Sequence, residues 1–131
     1  MKLLLDTHIW LWSVLEPEHL APGVAEALEE PSNELWLSPI SVWELMVLVE
    51  KGRLVLDRPP ARWIADVCGA VPLRDAPLTR HVAVESRRLA LSHEDPADRF
   101  IAATAKVYDL TLVTSDERLL QLDGVKMFGR R

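Results

Sequence analysis

Short apolar runs, each closed by a hydroxyl or an acid and separated from the next by a helix-length stretch, constrain this chain most. Lys2-Leu3-Leu4-Leu5 ends at Asp6-Thr7, Leu35-Trp36-Leu37 at Ser38-Pro39, and Leu110-Thr111-Leu112-Val113-Thr114 at Ser115-Asp116. Runs this brief fit strands buried on both faces. The stretches between them read as helices: His8 to Leu15, Val24 to Glu30 opened by Pro22, Ser41 to Lys51 stopped by Gly52, and Pro59-Pro60 through Cys68. Further on, Leu78 to Leu91 reads as one longer helix, Asp95-Pro96 opens another through Val107, and a short one covers Glu117 to Gln121. Val71-Pro72-Leu73 is at best an edge strand, because proline cannot donate to a central ladder, and Val125-Lys126-Met127 is a last strand. Strands alternating with helices predict an α/β fold: a mainly parallel central sheet with helices on both faces, in one domain over residues 1–131.

Composition narrows the function. A 49% hydrophobic and 27% charged chain of 131 residues is of ordinary globular make-up, not a disordered tail, collagen or a coiled coil. No stretch approaches the roughly 18 apolar residues of a membrane span, and the N-terminal run ends too early for a signal peptide. The lone Cys68 excludes an internal disulfide and a cysteine-rich zinc site, and reads as a small core residue in a reducing cytosol. Fifteen Lys and Arg against 20 Asp and Glu leave a net charge of −5, so nucleic acid is not bound through bulk charge. Nucleic acid is then either irrelevant, or the acids gather around metal ions and the basic residues lie elsewhere.

Ligands of an open parallel sheet bind beyond the carboxyl ends of its strands. Asp6 follows the first strand, Ser38, Ser41 and Glu44 the second, and Thr114, Ser115 and Asp116 the strand through Val113; Asp98 lies in the first turn of the helix opened by Asp95-Pro96. Each acid also has a structural reading. Asp6 or Thr7 can cap the first helix, Ser41-Val42-Trp43-Glu44 fits a capping box, Asp95 an N-cap with Pro96 at N1, and Ser115 or Asp116 a further cap. Four acids from four distant segments at one sheet edge would repel and raise one another's pKa values. A hard cation, Mg²⁺ or Mn²⁺, removes that cost and suits phosphodiester hydrolysis without a histidine base. No phosphate-binding glycine loop, G-x-S-x-G elbow or H-E-x-x-H helix is present.

Four stretches in order carry a family resemblance: Leu3-Leu4-Leu5-Asp6-Thr7-His8 with Trp10-Leu11-Trp12; Ser38 to Gly52 with Ser41-Val42-Trp43-Glu44-Leu45; His93 to Arg99 running into Ile101 to Ala105; and Leu112 to Asp116. The chain resembles PIN domains, and more closely the VapC-type toxins of toxin–antitoxin modules. The resemblance implies a metal-dependent endoribonuclease that cuts structured RNA such as tRNA or rRNA and inhibits translation. It implies metal-holding acids at Asp6, Glu44, Asp98 and Asp116, with Thr114 as the supporting hydroxyl. It also implies a cognate antitoxin that inserts a basic side chain into the site, and a homodimer. Asp95 falls in the D-P-x-D-R stretch and is read as a cap; Arg99 faces the phosphate or pairs with an acid. Leu48 stands where many relatives have lysine. Two other classes are weighed. A phosphatase with an aspartyl nucleophile needs D-x-D after the first strand, where this chain has Asp6-Thr7-His8. A non-catalytic binding module would have no need of all four acids.

The segments His8–Leu15 and Val42–Val49 are apolar nearly all round, so either both are central core or their outer faces form a groove or dimer seam. Lys51, Arg53, Arg58 and Arg62, then Arg80, Arg87 and Arg88, and finally Arg130 and Arg131, are either solvated faces or an RNA surface. His19, His81 and His93 read as surface residues, and His8 as packing or capping.

Overall fold

The computed structural model describes residues 1–91 and 94–129. The readings of His93, Arg130 and Arg131 lie outside the described residues. Strand β1 (Lys2–Leu5) leads into helix α1 (Thr7–Leu15), a 3-10 turn (Pro17–His19) and α2 (Pro22–Glu29). Then come β2 (Glu34–Leu37), α3 (Pro39–Glu50), α4 (Pro60–Ala70), β3 (Leu73–Asp75) and α5 (Arg80–Ser86). The chain continues through α6 (Pro96–Val107), β4 (Thr111–Val113), α7 (Glu117–Leu120) and β5 (Met127–Phe128).

The sheet order is β3-β2-β1-β4-β5, all parallel. Leu3 pairs with Leu35 on one side and Thr111 on the other, and Leu4 with Trp36 and Leu112. The chain builds outward from β1 in one direction through β3, then returns to β1's other edge with β4. The strand order therefore reverses at β1, which is where an open parallel sheet leaves its ligand crevice.

Alternation along β1 splits the core. Leu4 and Leu112 join Val82, Ile101, Ala102 and Ala105 on one face. Leu3, Leu5 and Val113 join Ile9, Trp10, Val24, Leu45 and Trp63 on the other. Fully burying each large apolar side chain contributes roughly 1.5–3 kcal/mol, which is what holds short strands of few hydrogen bonds in place. Among the described residues no helix is long and apolar enough to cross a membrane.

Several boundaries differ from expectation. α3 starts at Pro39, because Ser38 accepts from the Ile40 N–H at 3.1 Å and the proline sits at N1, where its missing N–H costs nothing. Gly52, at φ 69°, ends that helix as expected. The stretch read as one helix from Leu78 to Leu91 is helical only over α5. Thr79 caps it, and beyond Ser86 the carbonyls turn toward Arg99. The edge strand β3 begins just after Pro72, and Cys68 is half-buried, its thiol pushed up by burial and then by Asp75.

The two apolar helices each give one face to the core and leave another outside it. α1 buries Ile9, Trp10 and Leu11 but exposes Val14 and Leu15, while α3 buries Ser41 and Leu45 and leaves Trp43 57% exposed. Gly129 is required by a close approach: a Cβ there would lie 1.9 Å from the Thr114 carbonyl oxygen.

Candidate active site at the carboxyl edge of the sheet

Asp6 leaves β1 and caps α1. Its backbone N–H extends the ladder to the Val113 carbonyl at 2.9 Å, and its Oδ1 accepts from the Thr7 N–H at 2.8 Å. Its second oxygen, Oδ2, accepts from the Thr114 hydroxyl at 2.7 Å. Thr114, just beyond β4, in turn accepts from the Asp116 N–H at 3.0 Å. One hydroxyl therefore ties the acid after β1 to the loop after β4.

Thr7 ties the same point to α3. Its hydroxyl donates to the Glu44 carboxylate and meets the Ser41 hydroxyl at 2.9 Å. The capping-box expectation for Ser41 and Glu44 is thus corrected. Ser38 is the cap, Ser41 is buried inside the first turn, and Glu44 reaches across to α1 rather than back to its own helix start. Thr7 and Ser41 were expected as helix caps, not as the link that joins Glu44 to the Asp6 end of α1. The signal available was a threonine directly after the first strand-end acid.

Burial raises the Asp6 carboxyl above its ordinary range, against the lowering effect of Thr114, Thr7 and His8, and the Asp116 charge raises it further. Glu44 is raised first by burial, against Thr7, and then by the charges of Asp6, Asp95 and Asp98. Asp6 therefore feels Asp116, and Glu44 feels Asp6 and Asp98, which links the four expected acids in a chain. Their roles in the fold differ. Asp6 is buried, and Glu44, Asp98 and Asp116 are half-buried. Asp116 caps α7 and pairs with Arg118 at 3.1 Å. Arg118 is held charged first by its hydrogen bonds to Asp116, then by that charge and by Asp98 and Asp95. Asp95 caps α6 as expected, accepting from Ala97 and Asp98.

Among the described residues no group of three or more His, Cys, Asp or Glu side chains closes into a ligand set. The donor chemistry still fits a hard divalent cation, because the facing groups are carboxylate and hydroxyl oxygens with no sulfur.

Arg99 does not face this site. Its guanidinium is 7% exposed and donates to the carbonyls of Ser86 (3.1 Å), Leu89 (3.4 Å) and Leu91 (2.9 Å), with Glu94 at 3.4 Å. Arg58 pairs with Asp57 and Asp66 and Arg88 approaches Glu85, so part of the expected basic surface is internally compensated.

A family model for the PIN domain matches residues 3–125. The chain belongs to the PIN domain family. Ribonuclease VapC22 of Mycobacterium tuberculosis is 37% identical to this PIN domain over 118 residues, covering 89% of this chain and 88% of that protein. VapBC2 from Rickettsia felis, solved bound to a promoter DNA fragment, shares the fold at a TM-score of 0.74 with 17% identity, over 98% of both chains. FitAcB from Neisseria gonorrhoeae is similar at 0.63 and 26% identity over 96% of each chain.

Proposed function

We propose that this PIN domain is a divalent-metal-dependent endoribonuclease of the VapC type, the toxin half of a toxin–antitoxin pair, that cuts structured RNA. The observation that carries the reading is the linked pair of raised carboxyls, Asp6 and Glu44, at the strand-order reversal of a chain 37% identical to a ribonuclease. Asp6 and Glu44 hold the cation, Asp98 and Asp116 complete its surroundings, and Mg²⁺ or Mn²⁺ is the matching ion. When bound, such an ion supplies an activated water and charge neutralisation at the phosphodiester.

The chain's own residues do the positioning. Thr114 holds the Asp6 carboxylate in one orientation, and Thr7 does the same for Glu44. Such supporting partners typically contribute 10–100-fold to metal affinity or activity, as an order of magnitude. Ser41 supports Thr7 from below. Apolar walls exclude water from Asp6 on its buried side. A cytosolic location, a homodimer and an antitoxin that covers the acids with a basic side chain belong to the same reading. VapBC complexes among the structural neighbours support the partner.

The test is cleavage of total tRNA and rRNA by antitoxin-free protein in Mg²⁺ or Mn²⁺, with EDTA and Asp98→Asn in parallel. Discrete cuts that require metal and vanish in the variant are expected. Undiminished cutting by a pure, folded Asp98→Asn protein would remove that acid from the site, and no cutting of any RNA by metal-loaded protein would remove the activity.

A further inference from the structure

We infer that the open pocket between α1 and the end of α3, walled by His8, Trp12, Leu48 and Leu54, receives one unpaired nucleobase of the RNA, with Arg53 on that nucleotide's phosphate. The inference rests on the ribonuclease reading and names how the substrate is gripped beside the acids.

The pocket has a volume of about 200 Å³ and is lined by both aromatic and charged groups, Glu16 and Arg53 among them. An apolar cavity of roughly 150 Å³ holds a benzene ring, so the space suits one heterocycle. Its aromatic wall starts at the acids. His8 lies in the first turn of α1, two residues after the Asp6 cap, and is exposed. Trp12 follows one turn later with ring centroids 5.9 Å apart, and His19 continues the row at 5.5 Å from Trp12. Aromatic faces beside a phosphodiester-cutting edge are the usual platform for unpaired RNA bases.

The charges complete the match. Arg53 is exposed and makes no side-chain hydrogen bond or ion pair among the described residues, unlike Arg58, Arg99 and Arg118. Glu16, also on the wall, lies 3.2 Å from the His19 imidazole, and Arg53 is the one Lys or Arg side chain among the lining residues. An acidic chain that binds RNA needs such a local cation, and a purely apolar partner segment would leave it unused.

The experiment uses a fluorescein-labelled single-stranded RNA 12-mer of mixed sequence, read by anisotropy in Mg²⁺ with protein carrying Asp98→Asn to limit cleavage. Cleavage by the otherwise unaltered protein is measured separately. Adding Trp12→Ala is expected to weaken binding about tenfold or more, and Trp12→Phe to restore it to within about threefold. Arg53→Ala is expected to weaken binding and flatten its dependence on salt. Equal thermal melts of the variants exclude unfolding as the cause. Tight RNA binding unchanged by Trp12→Ala overturns the pocket and leaves the ribonuclease standing. Unchanged RNA binding with a Trp12→Ala protein that loses its dimer overturns it in favour of a protein seam. A parent protein that neither cuts nor binds any RNA overturns both readings.

Discussion

Asp6 and Arg99 are equally withdrawn from water, each 7% exposed, and the fold treats them in opposite ways. Arg99 is surrounded by acceptors: three carbonyls and, at the rim, Glu94. Only its Nε lacks a partner. Asp6 has two donors on its side chain and further negative charge nearby in Asp116, while it raises Glu44 in turn. A buried charge that is satisfied organises the chain around it, and Arg99 gathers the irregular stretch after α5 onto α6. A buried charge left under-compensated costs stability and has to be explained by what it does.

The sharpest way to break this contrast is to neutralise each charge. Asp6→Asn is expected to cut RNA cleavage by more than about a hundredfold. The same change should raise the melting temperature of the metal-free protein, because it removes a buried charge while leaving an oxygen to accept from Thr7. A lower melting temperature in EDTA would show that Asp6 is structurally needed. Arg99→Met should do the reverse, lowering stability by about 3 kcal/mol in denaturant melts, since it strands three carbonyls. Arg99→Lys should recover little, because an ammonium lacks the planar fork that spans them. A neutral Arg99→Met melt would erase the distinction.

Thr114→Val probes the hinge between the two strand ends. It should reduce cleavage roughly 10–100-fold with a modest loss of stability. If the rate is unchanged, the hydroxyl does not orient Asp6 for the reaction.

The smallest effect is on pH. Asp6 and Glu44 are both raised in the folded state, so between the ordinary carboxylate range and their folded values the folded chain binds more protons than the unfolded one. Their stabilising contribution is therefore full at acid pH and is lost as pH rises through the folded values. In EDTA, the melting temperature of Asp6→Asn minus that of the parent should widen as pH rises from about 4 toward 7. A constant difference would mean that Asp6 titrates normally.

The places of the strands along the chain, the parallel sheet and the acids at its carboxyl edge were legible because short buried runs and their terminating residues are local signals. The contacts that complete the site were not. Thr7 and Glu44 meet across 37 residues, so a spacing that matched a capping box concealed a tertiary contact. The overlong helix from Leu78 failed for a similar reason. Nothing near Ser86 announces that a guanidinium 13 residues later will claim its carbonyl. Arg99 carried two readings, phosphate or acid, and its main partners proved to be backbone oxygens. The all-round apolar character of α1 and α3 left core and seam open, and the structure divides each helix, with Trp10 and Leu45 in the core and Val14, Leu15 and Trp43 outside it.

The last strand bears on how the chain can be shortened. The Phe128 carbonyl accepts from the Thr114 N–H at 3.1 Å, and Gly129 approaches the Thr114 carbonyl too closely to carry a Cβ. The two peptide groups that flank Thr114, whose hydroxyl donates to Asp6, are thus both in contact with the segment around β5. A nick or truncation before Met127 would leave every acid in place yet loosen the threonine that aligns one of them.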